Sequence, residues 1–257
     1  MTESTGKTRP QGHEISEDGL LAGRVRLRQP VHGYRAGLDA ALLAAACDAA
    51  PGERVLDLGC GPGAVALAAA ARRPGADFTG VERDPAALAL ARENVGLNGL
   101  GDRMRIIEGE VGTGFAALGL PAFDAALCNP PFFDDASSLR GPHPSRTAAW
   151  IAGDGLPAWT AFLLKSVREG GAITIIHRAD RLAELLALLA PKAGSMCVRP
   201  VHAFASQPAK RVLVRAVKSG KAPLVLLPAL VLHDRSGAKH TAGAEAILRG
   251  QAMLPWS

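Results

Sequence analysis

Asp57-Leu58-Gly59-Cys60-Gly61-Pro62-Gly63 lies between the short apolar run Arg54–Leu58 and the alanine-rich run Ala64–Arg72. The first run reads as a buried strand and the second as a helix. Glycines between them let the chain turn tightly and let a ligand come close to the backbone. A strand, a glycine turn and a helix make the first half of a nucleotide-binding unit. A tight connection that binds nothing is the plainer alternative for the same residues.

The flanks support the nucleotide reading. Asp57 stands at the carboxyl end of the first strand, within reach of a ligand's charged amino group. Glu82 ends the next strand, Asp77–Glu82, about 20 residues past the glycines, where a carboxylate accepts the hydroxyls of a ribose. Asp84-Pro85 then opens a helix, with Asp as its cap and Pro at its first position. Beyond it, Met104–Glu108 and Phe123–Cys128 read as a third and fourth strand and Ala172–His177 as a fifth. Leu156–Arg168 and Arg181–Leu189 read as helices, and Met196–Ala205 and Val212–Val217 as paired strands with Gln207–Lys210 as their turn. Leu224–Leu232 adds a further strand. Upstream, Arg24–Gln29 alternates like a short strand and Leu38–Ala50 reads as a helix. The alternation predicts an α/β fold: a seven-stranded, mostly parallel sheet, helices on both faces and an antiparallel C-terminal strand pair. Residues 1–23 are polar without periodicity and read as a flexible tail. Residues 24–257 then form one domain, with a ligand-binding half at about 38–128 and an acceptor half at about 129–257.

The fourth strand runs directly into Asn129-Pro130-Pro131-Phe132-Phe133. Two prolines fix φ twice and remove two backbone donors, and Asn129 is pushed to an extended conformation by the proline after it. The strand end therefore presents acceptors only: the Asn129 amide oxygen and the Pro130 carbonyl. An amino group on an aromatic ring is a poor nucleophile because its lone pair is delocalised. Two acceptors on its N–H bonds favour a more tetrahedral nitrogen, so the chemistry is positioning and electrostatics without an obligatory base. Phe132 supplies a face on which a base stacks. Pro131 and Phe133 complete the predicted acceptor wall.

Asp57-x-Gly-x-Gly-x-Gly63 followed by Glu82 resembles the S-adenosylmethionine site of class I, Rossmann-like methyltransferases. The resemblance implies that Gly59, Gly61 and Gly63 line the methionine end of the cofactor and that Glu82 holds its ribose. Glu110, after the third strand, takes the place of an acidic residue near the cofactor adenine, and Asn129 borders both ligands. Gly59-x-Gly61-x-x-Ala64 equally fits the fingerprint of NAD(P)-binding oxidoreductases. Asn129-Pro-Pro-Phe132 separates the two, because it resembles the signature of amino-group methyltransferases. That class covers adenine N6, guanine N2, cytosine N4 and the amide of a protein glutamine. The glutamine enzymes carry a sizeable helical domain ahead of the cofactor strand, and only 56 residues precede Asp57 here. From Arg24 to Arg249 the layout resembles the bacterial tRNA adenine-N6 methyltransferases acting beside the anticodon of valine tRNA. The stretches that carry this are Gly33–Asp39, Asn129–Phe133 and Pro208–Val214. Gly33-Tyr-Arg-Ala-Gly-Leu-Asp39 departs from the form of the best-known members. Tyr34 and Asp39 either close over the cofactor, as in relatives, or serve as a buried tyrosine and a helix cap. Adenine or guanine in ribosomal RNA and a protein glutamine stand as alternative acceptors.

Charge points the same way. The chain carries a formal net charge of +5, and seven Lys or Arg but no Asp or Glu fall between Pro191 and Lys221. A basic surface suits a polyanion, here structured RNA. Lys210 and Arg211 at the predicted turn, and Arg140 and Arg146 in the loop after Phe133, are the expected phosphate contacts. Cys47, Cys60, Cys128 and Cys197 form no CxxC pair, so neither a metal site nor a disulfide framework is expected. No run has the length of a membrane span and Met1–Pro10 lacks the apolar core of a signal peptide, which predicts a cytoplasmic protein. The histidines form no local constellation, and none is given a role.

Overall fold

A computed structural model describes residues 14–32, 35–132, 155–234 and 238–257. The chain begins there with a hairpin, β1 (Ile15–Leu20) and β2 (Val25–Pro30), paired antiparallel as a sheet of their own. Then come α1 (Leu38–Ala45), β3 (Arg54–Leu58), α2 (Ala64–Arg72), β4 (Asp77–Glu82), α3 (Pro85–Leu97), β5 (Met104–Glu108) and β6 (Phe123–Cys128). After residues 133–154 follow α4 (Leu156–Ser166), β7 (Val167–Arg178), α5 (Leu182–Leu189), β8 (Ala193–His202) and β9 (Ala209–Lys218). Two short strands, β10 (Val225–Leu226) and β11 (Leu230–Val231), and α6 (Ala242–Leu248) complete it.

The main sheet runs β10-β8-β9-β7-β6-β3-β4-β5, with β11 also on β8. Strands β3 to β7 are parallel and β9 is antiparallel to both its neighbours, as expected. The two extra strands lengthen the seven-stranded sheet to nine and fall inside the stretch read as one strand, 224–232. Side chains alternate between two cores. Val55, Phe78 and Leu127 face α1, α2, α3 and α6, while Leu56, Val81 and Ala126 face α4 and α5. Seven consecutive residues of α2 are buried, and most are alanines, which lets the helix lie close on the sheet.

The hairpin corrects the expectation of a tail through residue 23. Its β1 strand has only two large apolar residues, Ile15 and Leu20, so no hydrophobic period marks it. Polar contacts hold it instead: Glu17 pairs with Arg26 and Arg28, and Asp18 accepts from Gln29 and Arg35. On the other side, β2 docks on α3 through two asparagines. Asn94 accepts from the Arg28 N–H and donates to the Arg28 and Pro62 carbonyls; Asn98 does the same for Arg26 and donates also to the Asn94 carbonyl. The spacing fits: four helical residues rise about 6 Å and two strand residues about 6.7 Å. Other bounds differ as well: α1 stops at Ala45 rather than Ala50, β7 starts at Val167, inside the stretch read as helix, and β8 and β9 each start three residues early, at Ala193 and Ala209.

Candidate active site

The chain runs from β3 outward to β5 on one side and then returns to β6 on the other. That reversal opens a crevice at the carboxyl ends of β3 and β6, the place where such sheets bind ligands. Leu58 pairs with Val81 on one side and Cys128 on the other, so the glycine turn and the Asn129 turn leave the sheet side by side.

Asp57 is buried, and its Oδ2 accepts from the Ala66 N–H at 3.0 Å, in the first turn of α2. Burial pushes its carboxyl up to about 7, against that hydrogen bond and with help from the charge of Glu82. Gly59 and Gly63 sit at φ of 70° and 90°, conformations that strain any other residue. A side chain at Gly59 would also meet the Trp159 ring at 2.6 Å, whereas none of the described residues comes within 4 Å of the same position at Gly61. The Glu82 carboxylate is bonded to the glycine turn and to the backbone after β4. Its Oε2 accepts from the Gly61 N–H, and its Oε1 from the Arg83 and Asp84 N–H groups, all at 2.8 Å. Three of about four acceptor sites are thus occupied and the group is held rigid. Glu110 lies at the same edge, paired with Arg83 at 3.1 Å.

On the acceptor side, Asn129 and Phe132 are half-buried, Pro130 is buried and Pro131 exposed. Phe133, Arg140, Arg146 and Tyr34 lie outside the described residues. Phe132 meets two residues that sequence reasoning did not link to it. The Arg211 guanidinium lies over its ring at 4.6 Å, and the His177 ring stands edge-on at 5.2 Å. His177 is buried at the end of β7, and its Nδ1 accepts from the Arg178 N–H, which leaves the proton on Nε2. Burial pushes its value down to about 4, aided by Arg181, Arg178 and Arg211 and opposed by Asp180, so the ring is neutral at pH 7. Asp39 is no cap; it stands in the first turn of α1 and accepts from the Arg211 Nε at 3.0 Å.

The basic stretch divides. Lys210 and Arg211 begin β9 beside Arg178, at the ligand edge of the sheet, where β9 starts earlier than its apolar pattern indicates. Lys192, Lys218 and Lys221 lie toward the opposite edge, and Lys218 pairs there with Glu169. Arg215 pairs with Asp48, and Arg199 holds the Pro228 and Pro255 carbonyls. The run is one segment of sequence but two places in space.

Residues 35–140 match the methyltransferase small domain family. The chain is 31% identical over 207 residues to a tRNA1(Val) (adenine(37)-N6)-methyltransferase of Actinobacillus succinogenes, across 79% of this chain and 85% of that one. The chain belongs to this methyltransferase family. It is also 32% identical over 167 residues to a release factor glutamine methyltransferase of Gloeobacter violaceus, where it spans 57% of that protein's length. The crystal structure of a predicted O-methyltransferase from Agrobacterium tumefaciens matches with a TM-score of 0.70 at 25% identity, over 84% of this chain and 98% of that one.

The methyltransferase therefore uses S-adenosylmethionine as methyl donor, and the oxidoreductase alternative falls away. Its own residues fit that cofactor. Among the described residues, Gly61 has no neighbour within 4 Å of where a side chain would start, Glu82 is a fixed acceptor, and the Trp159 Nε1, next to the turn, is a buried donor without a partner. A ligand with ribose hydroxyls at one end and a carboxylate at the other suits these three groups. Trp159 was not singled out in the sequence, because its place over Gly59 arises only when α4 packs on the sheet. Among the described residues there is no metal-binding cluster and no helix long and apolar enough to cross a membrane.

Proposed function

We propose that the methyltransferase methylates the N6 amino group of an adenine in tRNA. The observation that carries the reading is the adjacency of its two turns: Asn129-Pro130 leaves β6 in register with the glycine turn of β3. Asn129 Oδ1 and the Pro130 carbonyl accept the two N–H bonds of the amine, and Phe132 stacks on the base. Bound S-adenosylmethionine supplies the electrophilic methyl group. Asp57, Gly59, Gly61, Gly63, Glu82 and Glu110 hold that cofactor, and the nitrogen sheds its proton to water after transfer.

Two observations favour tRNA over a protein glutamine. The adenine-N6 relative is matched across 85% of its length, the glutamine relative across 57%. Lys210 is exposed at the ligand edge, which suits a phosphate. The base must leave its stack to reach Asn129, which is cheapest in a loop such as an anticodon arm. The reaction belongs in the cytoplasm, with the tRNA. Labelled cofactor with unmodified total tRNA, ribosomal RNA and a release factor in parallel tests the reading, with the modified nucleoside identified by mass spectrometry. N6-methyladenosine in tRNA is the expected product; label confined to the release factor would overturn it.

A further inference from the structure

Three distant segments converge on Phe132. Arg211, from β9, lies over its ring; His177, from β7, stands T-shaped to it; and Asp39, from α1, holds Arg211. The guanidinium is also tied to its own strand, since Nη1 donates to the Lys210 carbonyl at 3.2 Å. The Asp39–Arg211 pair is only partly exposed, with side-chain exposures of 21% and 31%, so solvent screens it less than a surface pair. A cation flat on an aromatic face is attracted by the ring's quadrupole and restrains its tilt. Arg211 is held at three points: the Asp39 carboxylate, the Lys210 carbonyl and the Phe132 ring.

We propose that Asp39 and Arg211 are positioning residues for the acceptor base: the carboxylate anchors the guanidinium, the guanidinium covers one face of Phe132, and the ring is left a single orientation in which to stack. This rests on the reading that a base enters beside Asn129. It removes Arg211 from the phosphate contacts and leaves that task to the exposed Lys210. It also gives Asp39 a place in the acceptor site rather than over the cofactor.

The test uses the full chain with unmodified total tRNA, measuring kcat and KM over a salt series and cofactor affinity by calorimetry. Arg211→Met should raise KM for tRNA at least tenfold, with kcat within threefold and cofactor Kd within twofold. The slope of log KM against log salt should not change, because no phosphate contact is lost. In a Phe132→Ala background the same substitution should add nothing. Asp39→Asn should reproduce the KM effect in part. The double exchange Asp39→Arg with Arg211→Asp should recover the melting temperature but not KM, because a carboxylate then faces the ring. Should Arg211→Met fail to fold, Arg211→Lys keeps the charge without the flat group, and the same KM rise is expected. The proposal is overturned if the salt slope falls by roughly 0.7–0.9, the mark of one lost phosphate contact. It is equally overturned if the Phe132 and Arg211 effects multiply, or if the double exchange restores KM. A wild-type protein inactive on every RNA overturns the acceptor reading and this proposal together, and shows it before any variant is made.

Discussion

The two ends of the crevice are built in different ways. At the cofactor end the fixing contacts are short-range and use backbone groups: Asp57 to Ala66, nine residues on, and Glu82 to Gly61, twenty-one residues back. At the acceptor end they join side chains far apart in sequence, with Asp39 and Arg211 separated by 172 residues. Backbone N–H groups are the same whatever the side chains, so the first end suits a ligand common to many methyltransferases. Side-chain contacts change with single substitutions, so the second end is where a choice of acceptor can be set.

The division predicts that substitutions at one end spare the other. Asn129→Ala should show this most strongly: turnover falls about 10²–10³-fold, the size expected for one preorganised contact to a developing charge, while cofactor affinity stays within twofold. An equal fall in cofactor affinity would show that the ends are not separable.

His177 gives the next largest effect, and it reads out on stability. Its value of about 4 lies below the ordinary 6.5, so the folded chain refuses a proton that the unfolded chain accepts. The associated stability is complete above pH 6.5 and lost as pH falls toward 4, a difference of roughly 3 kcal/mol. His177→Asn, which can still accept from the Arg178 N–H, should flatten the loss of melting temperature over that window. An unchanged acid profile would break the account of a neutral ring.

Glu82→Ala should weaken cofactor binding by about 1.5–3 kcal/mol, the range for one hydrogen bond to a charged group. Only one acceptor site is open on this carboxylate, so a much larger loss, seen by calorimetry, would mean that a second ribose hydroxyl displaces the Gly61 N–H. KM for tRNA should hold.

Asp57 gives the smallest effect. Its folded value of about 7 exceeds the ordinary 3.8, so the free folded chain keeps a proton the unfolded chain sheds, and this group's share of stability declines as pH rises through that range. A cofactor with net positive charge favours the carboxylate. Affinity should therefore rise with pH toward 7, by less than tenfold per unit, and level off above it. Asp57→Asn should remove the slope; a slope that persists would place the titrating group elsewhere.

The same division explains what the sequence made legible. Strands β3 to β6, α2, and the turns at Gly59 and Asn129 are short-range patterns of apolar runs, glycines and prolines, and they stand where they were expected. The meeting of Phe132, His177, Arg211 and Asp39 is set by strand order, which local periodicity does not encode. The basic stretch divides for the same reason: one strand carries Lys210 to the ligand edge and Lys218 to the other. The β1 strand was hidden because charges and amides, rather than an apolar period, hold it.

Asn94 and Asn98 have one more consequence. An exposed strand edge recruits strands from other molecules, which is how ordered proteins begin to aggregate. The outward N–H and C=O groups of Arg26 and Arg28 on β2 are already taken by the two side-chain amides. A passing chain finds no ladder to join there, so the ribbon ends at two strands, and crowded copies of the protein have one seam fewer along which to zip together.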